Sequence, residues 1–136
     1  MRFLKFIFFF CTLVSLILSC RKDKGLAIIG NYPNEVGTII VNKCATSGCH
    51  NSQSSEAASG LNLSTWEDLF KGSRSGSSVI PYRSDFSPLC YFINSYPELG
   101  TVSAPAMPVN GTPLSKEEVL IIQNWINNGA PDVYGH

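Results

Sequence analysis

The chain has 136 residues, and 10 Lys and Arg balance 10 Asp and Glu for a net charge of zero. A nucleic-acid surface needs a concentrated basic patch, and this composition supplies none. No internal repeat is present, and the length leaves room for one small domain behind an N-terminal targeting segment.

Residues 1–19 read as a lipoprotein signal peptide. Met1–Lys5 is basic through Arg2 and Lys5, and Phe6–Leu18 is almost continuously apolar. That run is too short to cross a hydrocarbon core of about 30 Å comfortably. It ends in Ile17-Leu18-Ser19-Cys20, similar to a bacterial lipobox, which predicts cleavage before Cys20 and lipidation of its thiol. The alternative is an ordinary secretory peptide or a short anchor. Several acyl chains on one cysteine exceed the marginal membrane affinity that one chain provides. The expectation is an exported chain, lipid-anchored to a bacterial membrane and facing the periplasm or cell exterior. Removing Arg2 and Lys5 leaves eight cations against ten acids, a net charge of −2. Residues 20–35, with Gly25, Gly30 and Pro33, read as a flexible tether, and 36–136 as the folded domain.

Val36–Lys43 carries Val36, Ile39, Ile40 and Val41 and predicts a first helix, although Gly37 and the β-branched residues weaken it. The helix delivers Cys44-Ala45-Thr46-Ser47-Gly48-Cys49-His50. Two cysteines followed at once by histidine form the arrangement that attaches haem covalently. The thiols add to the haem vinyl groups, and the imidazole of His50 becomes the proximal iron ligand. The usual spacing is C-x-x-C-H, whereas this chain has C-x-x-x-x-C-H, and Gly48 is placed to let the extra residues bulge. The same spacing also suits zinc ligands or a small disulfide loop.

Asn51–Gly60 is polar and irregular, predicting a loop. Ser64-Thr65-Trp66-Glu67 matches a capping box with Ser64 as N-cap, opening a short helix through Phe70 that ends near Gly72. Gly72–Ser78 is a Gly/Ser loop. Ser87-Pro88 predicts an N-cap followed by proline at the first helical position, with Leu89, Tyr91, Phe92 and Ile93 packed behind it. Pro97–Pro113 is too rich in proline for regular helix. Ser115 and Glu118 form a second capping box, Leu114 and Val119 a hydrophobic staple, and Glu117 and Glu118 favour the helix dipole. Val119, Ile122, Trp125 and Ile126 make one apolar face, and Gly129 with Pro131 ends the helix. The fold class is all-α: short helices strung between long loops, around a covalently bound haem if the motif is what it resembles.

Of five cysteines, Cys11 leaves with the signal and Cys20 takes lipid. Cys44 and Cys49 sit in the motif, so Cys90 remains as a lone, buried thiol. For the sixth iron position, Met107 is the one methionine left after processing, held in Ala104-Pro105-Ala106-Met107-Pro108. Most methionines merely fill core, but a thioether between prolines is held in place rather than mobile. His136 is the final residue and expected to fray.

The order Cys44…Cys49-His50, Gly60-Leu61-Asn62-Leu63, Val79-Ile80-Pro81, Ser87-Pro88-Leu89, Met107-Pro108, Leu114-Ser115…Glu118 and Trp125-Ile126-Asn127-Asn128-Gly129-Ala130 resembles the planctomycete-type, class I-like cytochrome c domains. The resemblance spans residues 36–132. It implies one covalent haem c held by Cys44 and Cys49, axial iron ligation by His50 and Met107, and electron transfer with redox partner proteins. The chain departs from the family in its cysteine spacing and in carrying Tyr82 where glycine commonly follows the proline. Saturated His/Met ligation implies a carrier and not an enzyme, with the soft thioether raising the reduction potential. His50 is expected to donate its other ring N–H to a backbone carbonyl. Trp66, Trp125, Tyr82 and Phe92 are expected to line the core or a haem crevice. Two alternatives stand beside this reading. One is an open-site haem sensor or enzyme without Met107 ligation. The other is a lipoprotein interaction module with zinc at Cys44, Cys49, His50 and Cys90, or a disulfide at Cys44 and Cys49.

Overall fold

The computed structural model describes residues 29–136. The signal peptide, Cys11, the lipidation site at Cys20 and the tether up to residue 28 lie outside the described residues. Among the described residues four α-helices carry the fold: α1 Asn34–Lys43, α2 Trp66–Lys71, α3 Pro88–Ile93 and α4 Lys116–Asn127. Single 3-10 turns lie at Ser55–Ala58, Ser84–Phe86 and Pro97–Leu99. No strand occurs among the described residues, only two isolated bridges, Ile29 with Tyr32 and Ser73 with Gly76. The all-α expectation holds at this level.

Helix α4 is the hub, packing against α1, α3 and the Ser84–Phe86 turn. Its buried face is Val119, Ile122, Trp125 and Ile126, the apolar stripe its periodicity prescribes. The capping box is complete: Ser115 Oγ accepts from Glu118 N at 3.2 Å, and Ser115 N donates to Glu118 Oε2 at 2.8 Å. Leu114 and Val119, the two staple residues, are both buried in the core. At the other end Gly129 takes φ +98°. Its N–H reaches Ile126 O and that of Ala130 reaches Trp125 O, both at 2.9 Å. Together these two bonds make a Schellman motif.

Three details differ from the sequence expectations. The fold begins before residue 36, because Tyr32 is fully buried and its hydroxyl donates to Thr65 O at 2.8 Å. Residues 29–35, read as tether, are therefore part of the domain. Gly37 belongs inside α1 because a Cβ there would lie 2.8 Å from Ile29 O, so the close approach of the Ile29–Tyr32 turn requires glycine. Helix α2 is capped by Thr65, not Ser64: Thr65 Oγ1 accepts from Asp68 N at 3.1 Å. The Ser64 backbone is committed elsewhere, donating to Asn62 Oδ1 at 3.0 Å, and Glu67 accepts from Asn31 instead of closing a box.

Ser87 stands at the N-cap of α3, but its side chain makes no capping bond. Fully buried, its hydroxyl accepts from Ile80 N at 2.8 Å and donates to Arg83 O at 2.8 Å. It thereby folds the Ile80–Phe86 loop back onto α3. The loop after α3 is held similarly by buried Asn94, whose amide donates to Gly100 O and Thr101 O.

Candidate functional site

Helix α1 places the motif at its own C-terminus. The N–H groups of Cys44 and Ala45 both reach Ile40 O, at 2.9 and 3.0 Å, which closes the helix. The chain then loops outward, and His50 N returns to Cys44 O at 3.1 Å. One backbone bond thus brings the histidine back to the first cysteine despite the long spacing. Gly48 has φ +80° with open space around it, as the expected bulge requires.

The two thiols differ in setting. Cys49 is exposed, whereas Cys44 is buried against the core. Burial pushes the Cys44 thiol up to about 11, so it is a neutral S–H at pH 7. Both are free thiols, as is Cys90, buried in α3 and pushed by burial up to about 12.

His50 is half-buried, and its Nδ1 lies 3.2 Å from Leu61 O. A carbonyl oxygen can only accept, so this contact calls for a proton on Nδ1; in the neutral ring that tautomer leaves the lone pair on Nε2. The acceptor left open by the sequence is thus Leu61. The same segment grips the backbone, since Leu63 N donates to His50 O at 2.7 Å. Tyr32 packs this segment from the core side, its hydroxyl lying 3.2 Å from Leu63 O as well as 2.8 Å from Thr65 O, with one hydrogen to serve either. An imidazole whose outer nitrogen is free and whose ring is fixed from behind is prepared to bind a metal through Nε2.

Met107 stands on a different loop. It is half-buried, its N–H donates to Phe92 O at 2.6 Å, and Ser103 N donates to Tyr91 O at 2.9 Å. Those bonds seat the loop on the end of α3. No hydrogen bond joins it to the motif loop among the described residues. The structure therefore unites Cys44, Cys49 and His50 and leaves Met107 separately anchored. Phe92, whose carbonyl receives the Met107 N–H, is 42% exposed, and Val102 and Val109 on the same loop are 43% and 48% exposed. Phe92 and Tyr82 are thus surface residues, while Trp125 joins the core and Trp66 packs at its edge. Tyr82 adopts φ +65°, the backbone region glycine prefers, and lays its ring over Gly129.

By donor chemistry, the residues that could hold a haem are Cys44 and Cys49 as thiols, the Nε2 of His50 and the thioether of Met107. The zinc alternative needed Cys90 beside the motif. Among the described residues no three or more His, Cys, Asp or Glu side chains gather in a metal-binding group. His136 is exposed, and its N–H donates to Asp132 Oδ1 at 2.9 Å. Two residues that sequence reasoning passed over also touch the motif loop. Asn51 Nδ2 donates to Thr46 O at 3.1 Å and Ser54 Oγ to Cys49 O at 2.8 Å. The Asn51-Ser52-Gln53-Ser54 stretch carried their signal, because Asn and Ser side chains bond nearby backbone in turns. Comparison of the chain with protein-family models, characterised proteins and solved structures finds no match.

Proposed function

We propose that this chain is a lipid-anchored c-type cytochrome that carries single electrons between redox partner proteins. The observation that carries the reading is the bond from His50 Nδ1 to Leu61 O, which leaves Nε2 free immediately after two cysteines on one loop. The resemblance of the motif order to planctomycete-type cytochrome c domains supports it. Covalent haem c, when bound, supplies an iron that changes oxidation state by one electron. Cys44 and Cys49 would tether the group, the fixed ring of His50 would ligate its iron, and Met107 would supply a second protein ligand. The exposed apolar side chains of Phe92, Val102 and Val109 on and beside the Met107 loop would offer apolar contact to the group. An iron held by two protein ligands would exchange electrons rather than bind substrate.

Ser19-Cys20 supplies the anchor in this reading, placing the domain at the periplasmic or exterior face of a bacterial membrane. No helix among the described residues is long and apolar enough to cross a membrane. The test is expression of the full chain with a cytochrome c maturation system. The protein should be red, should gain the mass of one haem that survives acid–acetone extraction, and should fractionate with membranes. Cys44→Ala with Cys49→Ala should lose covalent haem, and Cys20→Ala should lose lipid. A colourless wild type binding one zinc ion would sink the haem reading. An unmodified mature N-terminus beyond Cys20 would sink the anchor.

A further inference from the structure

Resting on the haem reading above, we infer that Asn51 and Ser54 are positioning residues that hold the enlarged Cys44–His50 loop in the shape that presents both thiols for attachment. Four residues separate the cysteines, and the loop's own backbone does little to fix them. The bond from His50 N to Cys44 O closes its ends, and inside it only Cys49 N reaches Thr46 O, at 3.0 Å. A Cβ at Gly48 would meet nothing within 4 Å, so the apex packs against nothing. Each unrestrained residue keeps backbone entropy that would oppose a single loop geometry.

The missing restraint comes from the residues after the motif. The Asn51 amide donates from Nδ2 to Thr46 O at 3.1 Å, gripping the first half of the loop. Its Oδ1 accepts from Gln53 N at 3.0 Å and Ser54 N at 2.9 Å, gripping the turn that follows. One side chain therefore bridges the two segments with its donor and its acceptor in use at once. Ser54 completes the frame, its hydroxyl lying 2.8 Å from Cys49 O and 2.6 Å from Asn51 Oδ1. A hydroxyl has one hydrogen, so it serves one of these acceptors at a time. Both residues are half-buried; the bonds to Thr46 O and Cys49 O lie at the exposed surface, while those between Asn51 and Ser54 are partly buried. Aspartate could keep the acceptor half of this role but not the donor half.

The chemistry explains why geometry matters at both cysteines. Each thioether forms when a thiol adds across a vinyl double bond, sulfur to one carbon and hydrogen to the other, with no net oxidation. The second addition requires its sulfur to be in reach once the first has fixed the ring. A loop free to wander would complete the first bond and miss the second.

The experiment compares wild type, Asn51→Ala, Asn51→Asp and Ser54→Ala after co-expression with the maturation system. Pyridine haemochrome spectra distinguish one thioether from two, and denatured mass confirms attachment. Wild type should carry two thioethers. Asn51→Ala should yield about tenfold less doubly attached product, the scale of loss seen when groups orienting a ligand are removed. Asn51→Asp should fall between. In protein made without haem, Asn51→Ala should raise the maleimide labelling rate of Cys44 while Cys90 labelling stays as in wild type. That pattern separates a loosened loop from general unfolding, which would expose both. Double attachment in Asn51→Ala at the wild-type level, or a wild type with one thioether, would overturn the inference. Wild type with no haem would overturn the proposed function instead. The labelling of Cys44 would then decide the loop claim by itself, an unchanged rate overturning it.

Discussion

Lys43 and Glu118 join the residue before the first motif cysteine to the capping box of α4. Lys43 Nζ lies 2.6 Å from Glu118 Oε1 and 2.7 Å from Oε2, while Oε2 also accepts from Ser115 N. One carboxylate thus terminates a helix and fastens a second helix to it. The ammonium hydrogen bond from Lys43 is the main cause that holds the Glu118 carboxyl below its ordinary value of 4.5.

Glu118→Ala should destabilise the domain by about 1–2 kcal/mol, combining a lost cap with a partly shielded ion pair. Lys43→Met should cost less, because the capping bonds survive it. Since the folded carboxyl is the stronger acid, its contribution is full above pH 4.5 and is lost as pH falls through the lower folded value. Urea unfolding of wild type and Glu118→Gln between pH 3 and 7 checks this. The gap between them should be widest at neutral pH and close at the acid end.

Met107→Ala should lower the reduction potential of the haem-loaded protein and remove the thioether-to-iron charge-transfer band. The reduced variant should bind carbon monoxide, while wild type should not do so rapidly. Met107→His should stay six-coordinate at a lower potential. Spectra matching wild type in Met107→Ala would transfer the ligand role to another residue.

Gly37→Ala tests packing against propensity. In an open helix interior, alanine gains about 0.5–1 kcal/mol over glycine. At Gly37 the new methyl would lie 2.8 Å from the Ile29 carbonyl and 3.2 Å from the side chains of Ile29 and Tyr32. The sign should reverse, and thermal unfolding should show a lower midpoint.

Gly129→Ala should destabilise by about 1–3 kcal/mol, since it places alanine in a region that costs non-glycine residues strain. The added methyl would also meet the Tyr82 ring at 2.8 Å. Tyr82→Gly relieves that clash and its own positive φ. The double variant should therefore lose less than the sum of the two single losses, a coupling that unfolding measurements on all four proteins can read.

Where a signal is local, the sequence revealed it. Ser115, Glu118 and the apolar stripe of α4 name their helix because each acts through the next turn. Cys44, Cys49 and His50 announce themselves by adjacency, and Gly48 by its freedom to bulge. What stayed hidden depends on chain segments far apart in sequence. Tyr32 looks like tether until Leu63 and Thr65 receive its hydroxyl. Gly37 looks like a weak helix position until the Ile29 turn lies against it. Ser64 and Ser87 both fit capping patterns. Ser64 is displaced by the bond its backbone makes to Asn62, and Ser87 is drawn off by Ile80 and Arg83. Leu61 could not be singled out as the partner of His50, because a backbone carbonyl leaves no trace in side-chain identity.

The turn that ends α4 has a consequence for how the protein can be watched. The indole of Trp66 donates to Ala130 O at 2.9 Å, and that of Trp125 donates to Pro131 O at 2.8 Å. These are the chain's only 2 tryptophans, and they report on consecutive carbonyls. In protein made without haem, tryptophan emission is therefore an optical gauge of one spot, at the seam where α2 meets the end of α4. If that seam opens, both emitters lose their partners together, and the signal registers it even while α1 and the cysteine loop keep their shape.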